Sequence, residues 1–241
     1  MARDTTKGMD VVIYDFNGDL IPDELASSSD TGTLTVNVGL SGGKAGTASI
    51  LRVDCSNDGD NEMAEVDFGA LYYRVQDGRM YMEARVSLQA LVGAVNIGFN
   101  DDTLEASNTL PMELSGTTWT SNASTWIGFV FDSDATTDRW TAMWVDDDSD
   151  STVAIATLIS TPTVAASTWY TLRVDLQDAG SGNQAICNFS IADEDGNAWE
   201  YRASSTIDRD VALVPHIGVE NRTTTGNYVD IDYIEAGKSR S

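Results

Sequence analysis

The sequence predicts an all-β fold, a single antiparallel two-sheet β-sandwich, and three observations carry that prediction. Short runs alternate apolar and polar residues over nearly the whole chain, as a strand half-buried in an antiparallel sheet requires. Turns rich in Asp, Gly, Ser and Thr separate those runs. Helical periodicity is nearly absent, the best candidate being the short segment Pro22 to Ala26.

In chain order, candidate strands fall at about 10–16, 32–38, 47–53, 63–74, 79–88, 93–99 and 124–131. Others follow at about 138–146, 152–158, 168–176, 184–192, 197–203, 211–220 and 227–235. The clearest is 79–88, where Met80, Met82, Ala84, Val86 and Leu88 share one face and Arg79, Tyr81, Glu83, Arg85 and Ser87 the other. Alternation likewise turns Ile127, Phe129 and Phe131 one way in the following apolar run, and Trp140, Ala142 and Trp144 one way in the next. Tyr170, Leu172, Val174 and Leu176 face the core, with Thr171, Arg173 and Asp175 outward. Prolines 22, 111, 162 and 215 sit near strand edges or turns, where a missing N–H does least harm.

No internal repeat or linker divides the 241 residues, so one domain is expected over 9–236. Residues 1–8 read as a flexible N-terminal arm and 237–241 as a short C-terminal tail. Cys187 shares a face with Ala185, Phe189 and Ile191, which favours a buried free thiol over a disulfide to Cys55. The formal charge of -24, with lysine only at positions 7, 44 and 238, argues against nucleic-acid and anionic-membrane partners. It suits a solvated coat in a salty exterior and is compatible with divalent cations. The polar start and the lack of any membrane-length apolar stretch point to synthesis in a cytoplasm.

Four constellations bear on chemistry. Asp15, Asn17 and Asp19 alternate as oxygen ligands do in calcium loops, and Asp23 holds the ninth position, so these four are the candidate calcium ligands. Leu20 replaces the expected glycine and Ala26 the bidentate acid, two departures that favour an Asp/Asn/Gly turn leaving the first strand over a calcium loop. Asp230, Asp232 and Glu235 on the last strand are similar to the E-x-D-x-x-E strand of laminarinase-like β-glucanases. Strict alternation, however, turns Glu235 to the opposite face unless a bulge intervenes. His216, the only histidine, has no serine or cysteine motif to serve and reads as structural. The acidic runs 146–150 and 193–196 read as hairpin turns, the tryptophans as core, and the sequons at Asn122, Asn188 and Asn221 as incidental. No catalytic residue is assigned and no enzyme is expected.

The order of segments resembles the concanavalin-like jelly-roll virion proteins of tailed bacteriophages over about residues 11–236. The residues that carry it are Tyr14-Asp15-Phe16-Asn17-Gly18-Asp19, Met82-Glu83-Ala84-Arg85-Val86 and Ile97-Gly98-Phe99-Asn100-Asp101. Thr168 to Asp175, Ala212-Leu213-Val214-Pro215 and Val229 to Glu235 complete the pattern. The resemblance implies a capsid decoration (cement) protein on the outside of the virion, made in the host cytoplasm, bound to the major capsid protein and assembled as a trimer. It supplies no binding residues. The alternative is a carbohydrate-binding, lectin-like module, free or on a head or tail fibre. A glycan hydrolase acting through Asp230, Asp232 and Glu235 ranks third.

Overall fold

The structure, a computed structural model, describes residues 9–16, 23, 25–29, 50–55, 59–69, 72–103, 109–146, 154–156, 163–180 and 184–239. The expected arm 1–8, the candidate strand 32–38, the ligands Asn17 and Asp19, and most of the acidic turn after Asp146 lie outside these residues.

Among the described residues the strands build two seven-stranded antiparallel sheets and one separate hairpin. The first sheet runs β1 (Met9–Tyr14), β16 (Tyr228–Ser239), β5 (Met80–Leu88), β12 (Trp169–Asp178), β13 (Ala185–Asp193) and β14 (Ala198–Ser204), with β3 (Leu51–Asp54) also on β16. The second runs β11 (Ala154–Ala156), β10 (Thr141–Val145), β9 (Trp126–Asp132), β6 (Gly93–Asn100), β15 (Val214–Asn221), β4 (Met63–Asp67) and β2 (Ala26–Ser29). β7 (Met112–Ser115) and β8 (Thr118–Ser121) form the hairpin.

The alternation read from the sequence faces the two sheets toward one another. Met80, Met82, Ala84, Val86 and Leu88 join Leu172, Val174, Phe189 and Ile191 from the first sheet, against Val95, Ile97, Phe99, Ile127, Phe129 and Phe131 from the second. Aromatic rings stitch the layers together. Phe129 meets Phe189 edge-on at 5.5 Å, Trp144 stacks on Phe189, and Trp140 sits between Phe131 and Tyr170. Each such side chain contributes roughly 1.5–3 kcal/mol of burial, so this layer dominates folding. Cys55 and Cys187 are free and buried, as the strand pattern implied for Cys187, and burial pushes both thiols up.

Three boundaries differ from the sequence expectation. β16 continues to Ser239, so residues 237–239 are strand rather than tail. Gly237 pairs with both Tyr81 and Val11, and a Cβ there would lie 2.6 Å from the Tyr81 ring, which accounts for glycine at that step. The strand expected over 63–74 stops at Asp67, whose Oδ1 accepts the Gly69 N–H at 2.5 Å and turns the chain through a left-handed glycine. The segment Pro22 to Ala26 ends in strand, not helix, because Ala26 pairs with Asp67 at the edge of the second sheet.

The outer face of the second sheet is not the solvated surface that alternation suggests. On the second sheet Trp126, Val130, Met143 and Val145 point away from the main core and form a second core with Met112 and Ala123, covered by the β7–β8 hairpin. β9 is therefore buried on both faces, which suits the nearly continuous apolar run Trp126 to Phe131.

Candidate functional site

The last strand holds the first surprise. Its register slips between Ile231 and Tyr233, a bulge that keeps Val229, Ile231, Ile234 and Ala236 in the core while Asp230, Asp232 and Glu235 all face outward. The three carboxylates thus share a face, yet each is engaged. Arg52 grips Asp230 bidentately at 2.7 and 3.0 Å, Arg85 holds Asp232 at 2.5 Å, and the Tyr81 hydroxyl donates to Glu235. Aromatic rings back the guanidiniums: Tyr228 under Arg52 at 3.6 Å, Tyr81 under Arg173 at 3.9 Å, and Trp169 under Arg85 at 4.8 Å. Ion pairs and stacking make this a structural lattice.

His216 is fully buried on the outer face of the second sheet. Its Nε2 lies 3.0 Å from Glu65 Oε2, and its ring leans over Gly218, where a Cβ would meet it at 2.9 Å. The structural reading of His216 fits that placement. Of the candidate calcium ligands, Asp15 and Asp23 are exposed and Asn17 and Asp19 lie outside the described residues. Among the described residues no group of three or more His, Cys, Asp or Glu side chains is placed to hold a metal ion.

A roomier opening lies elsewhere, beside the hairpin. It is a cleft of about 460 Å3 lined by Asp60, Asn61, Thr109, Glu113, Leu114, Ser115, Gly116, Asp134, Glu220 and Arg222. Arg222, just past β15, forms its base with a side chain only 7% exposed. The guanidinium donates to Asp132 at 2.8 Å and to Glu220, and approaches Glu113 at 3.5 Å. One cation faces three carboxylates. Burial, the incompletely offsetting Arg222, and the neighbouring Glu113 and Asp132 push the Glu220 carboxyl up to about 7.

Local rules place the rim. Asn61 adopts a left-handed φ of 63°, which Asn tolerates, and its N–H is tied to the Asn221 carbonyl at 2.9 Å. Gly116, at φ 65°, closes the β7–β8 turn with Ser115 beside it. The Asp134 N–H is capped by Asp132 Oδ1 at 3.0 Å, leaving its carboxylate exposed. Neither Asp60 nor Asp134 forms an ion pair among the described residues. The rim thus offers uncommitted acceptors, an amide and a hydroxyl around a preorganised guanidinium, a set suited to a polyhydroxylated ligand.

No family model and no curated protein sequence matches the chain. Solved structures do. A Lotus tetragonolobus seed lectin aligns with TM-score 0.62 at 10% identity over 95% of this chain and 100% of its own. Peanut lectin, solved with a 9mer peptide, aligns with TM-score 0.58 at 10% identity over 95% and 98%. The lectin UEA-II complexed with galactose aligns with TM-score 0.55 at 10% identity over 96% and 98%. The fold is the concanavalin-like β-sandwich. At such identity the likeness concerns the fold alone, and it extends the concanavalin-like part of the sequence resemblance without reaching the virion part.

Sequence reading missed the cleft. Glu220 and Arg222 end an otherwise apolar strand, which is a weak local signal, while Asp132 and Glu113 arrive from distant segments.

Proposed function

We propose that the protein is a non-enzymatic carbohydrate-binding module whose saccharide seats in the cleft between the β7–β8 hairpin and the Gly59–Glu62 turn. The observation that carries this is the cleft itself, in which uncommitted Asp60 and Asp134 and the amide of Asn61 surround the buried Arg222 base. Vicinal hydroxyls of a pyranose pair well with such carboxylates and amides, and Leu114 adds an apolar contact for ring C–H groups. The lectin neighbours support the same reading from the side of the fold. A capsid-decoration role rests on the sequence resemblance alone.

The test is a glycan array followed by calorimetric titration of the best ligand. Replacing Asp60 and Asp134 together by Ala is expected to weaken binding about tenfold or more, roughly 1.4 kcal/mol, with unchanged thermal stability because both side chains are exposed. Silence across neutral, amino and acidic glycans would overturn the proposal, and full affinity in the double variant would remove the ligand from this cleft. An EDTA arm of the same titration tests the calcium expectation at Asp15, Asn17, Asp19 and Asp23.

A further inference from the structure

We infer that the outer face of the first sheet carries a second, separate subsite, one for a sugar residue bearing a carboxylate. A groove of about 230 Å3 crosses β12, β13 and β14 there. Its floor follows one row of the ladder, Asp175 opposite Asn188 and Asn188 opposite Arg202. Arg79, Gln177 and Ile186 form one wall.

Charge decides what the groove accepts. Asp175 is already committed: Arg173 holds it through two hydrogen bonds at 2.7 and 3.0 Å, and Arg79 adds a third at 2.7 Å. Burial alone would raise that carboxyl, and the two guanidiniums outweigh it and hold the group below its usual range. Arg202, exposed on edge strand β14, makes no ion pair among the described residues and keeps its donor fork open. Arg79 is half exposed and spends one nitrogen on Asp175. Two arginines therefore flank a floor whose acid is neutralised, on a chain of formal charge -24 that otherwise repels anions. A planar carboxylate matches the guanidinium fork. Gln177 and Asn188 supply amides for hydroxyls, and Ile186 supplies an apolar patch for the ring. Glu200, the remaining acid, accepts the Asn188 amide at 2.8 Å and sets that side chain's orientation.

The site is independent of the cleft proposed above, on the opposite sheet. The experiment titrates methyl glucuronide, methyl galacturonide, methyl glucoside and a glucose sulfate ester into 15N-labelled full-length protein, following backbone and arginine side-chain signals. The uronides are expected to shift signals at Asn188 and Arg202, to bind about tenfold more tightly than the neutral glucoside, and to weaken as salt rises. Arg202→Ala, on an exposed edge position, is expected to reduce uronide affinity about tenfold, and Glu200→Gln to raise it about threefold. Uronide binding no better than glucoside, or unaffected by Arg202→Ala, overturns the inference. Preference for the sulfate ester over both uronides overturns its carboxylate assignment. Asp60→Ala/Asp134→Ala leaves uronide binding intact if the two sites are separate, so failure of one proposal is distinguishable from failure of the other.

Discussion

Asn96 holds Met112 by both ends of its side-chain amide, accepting the Met112 N–H at 2.8 Å and donating to the Met112 carbonyl at 2.9 Å. A side chain on the face of β6 thus replaces a neighbouring strand and seats the hairpin on the second sheet. Asp132 completes the seat by accepting the Leu114 N–H at 3.1 Å. Cleft and second core both depend on this seat, because the hairpin is at once a cleft wall and the cover over Trp126.

Replacing Asn96 by Leu should therefore cost about 2–4 kcal/mol, since two buried backbone groups of Met112 lose their partners while the volume is nearly conserved. Urea denaturation measures the loss. A red shift of tryptophan emission before global unfolding would report hairpin detachment.

Glu220 should make stability depend on pH. Its folded pKa of about 7 stands above the ordinary 4.5, so the folded protein keeps a proton that the unfolded chain releases. The contribution is complete below about 4.5 and is lost as pH rises through 7. Glu220→Gln, which mimics the neutral acid, should flatten that slope and exceed the wild type at pH 8 by on the order of 1–3 kcal/mol. Denaturant midpoints from pH 4 to 8 in both proteins check this.

The two outward aspartates of β16 should behave differently. Asp230 is buried and gripped bidentately, so Asp230→Asn should cost about 2–4 kcal/mol by stranding Arg52. Asp232 and Arg85 are each about a third exposed, and Asp232→Asn should stay within about 1 kcal/mol. Equal losses in thermal melts would contradict this division between a buried and a partly exposed ion pair.

Gly98 and Gly128 face one another across β6 and β9. A Cβ on Gly98 would stand 2.2 Å from the Ile127 carbonyl oxygen and 2.6 Å from the Gly128 Cα, both backbone atoms that cannot rotate away. Gly98→Ala should cost at least about 3 kcal/mol and sharply reduce soluble yield. A wild-type melting temperature in that variant would show that the strands part freely.

Much of the fold was legible. The core faces of β5, β9, β10, β12 and β13 follow from period-two alternation, and the β13–β14 turn from Asp193, whose Oδ1 caps the N–H groups of Asp195 and Asn197. The hairpin 112–121 was not legible, because its partners on the sheet are single side chains rather than a complementary pattern. Nor was the bulge after Ile231, since alternation describes only a regular strand.

By itself the sequence determined the all-β sandwich, the inward faces and the strongly acidic surface. These are local or compositional properties, set by the geometry of each extended residue and by its neighbours two positions away. Tertiary structure alone decided where the charges meet. Arg222 reaches Asp132 across 90 positions and Arg52 reaches Asp230 across 178, and only strand register brings such pairs within hydrogen-bonding distance. The cleft, the groove and the alignment of three carboxylates on one face are consequences of register, which no local pattern encodes.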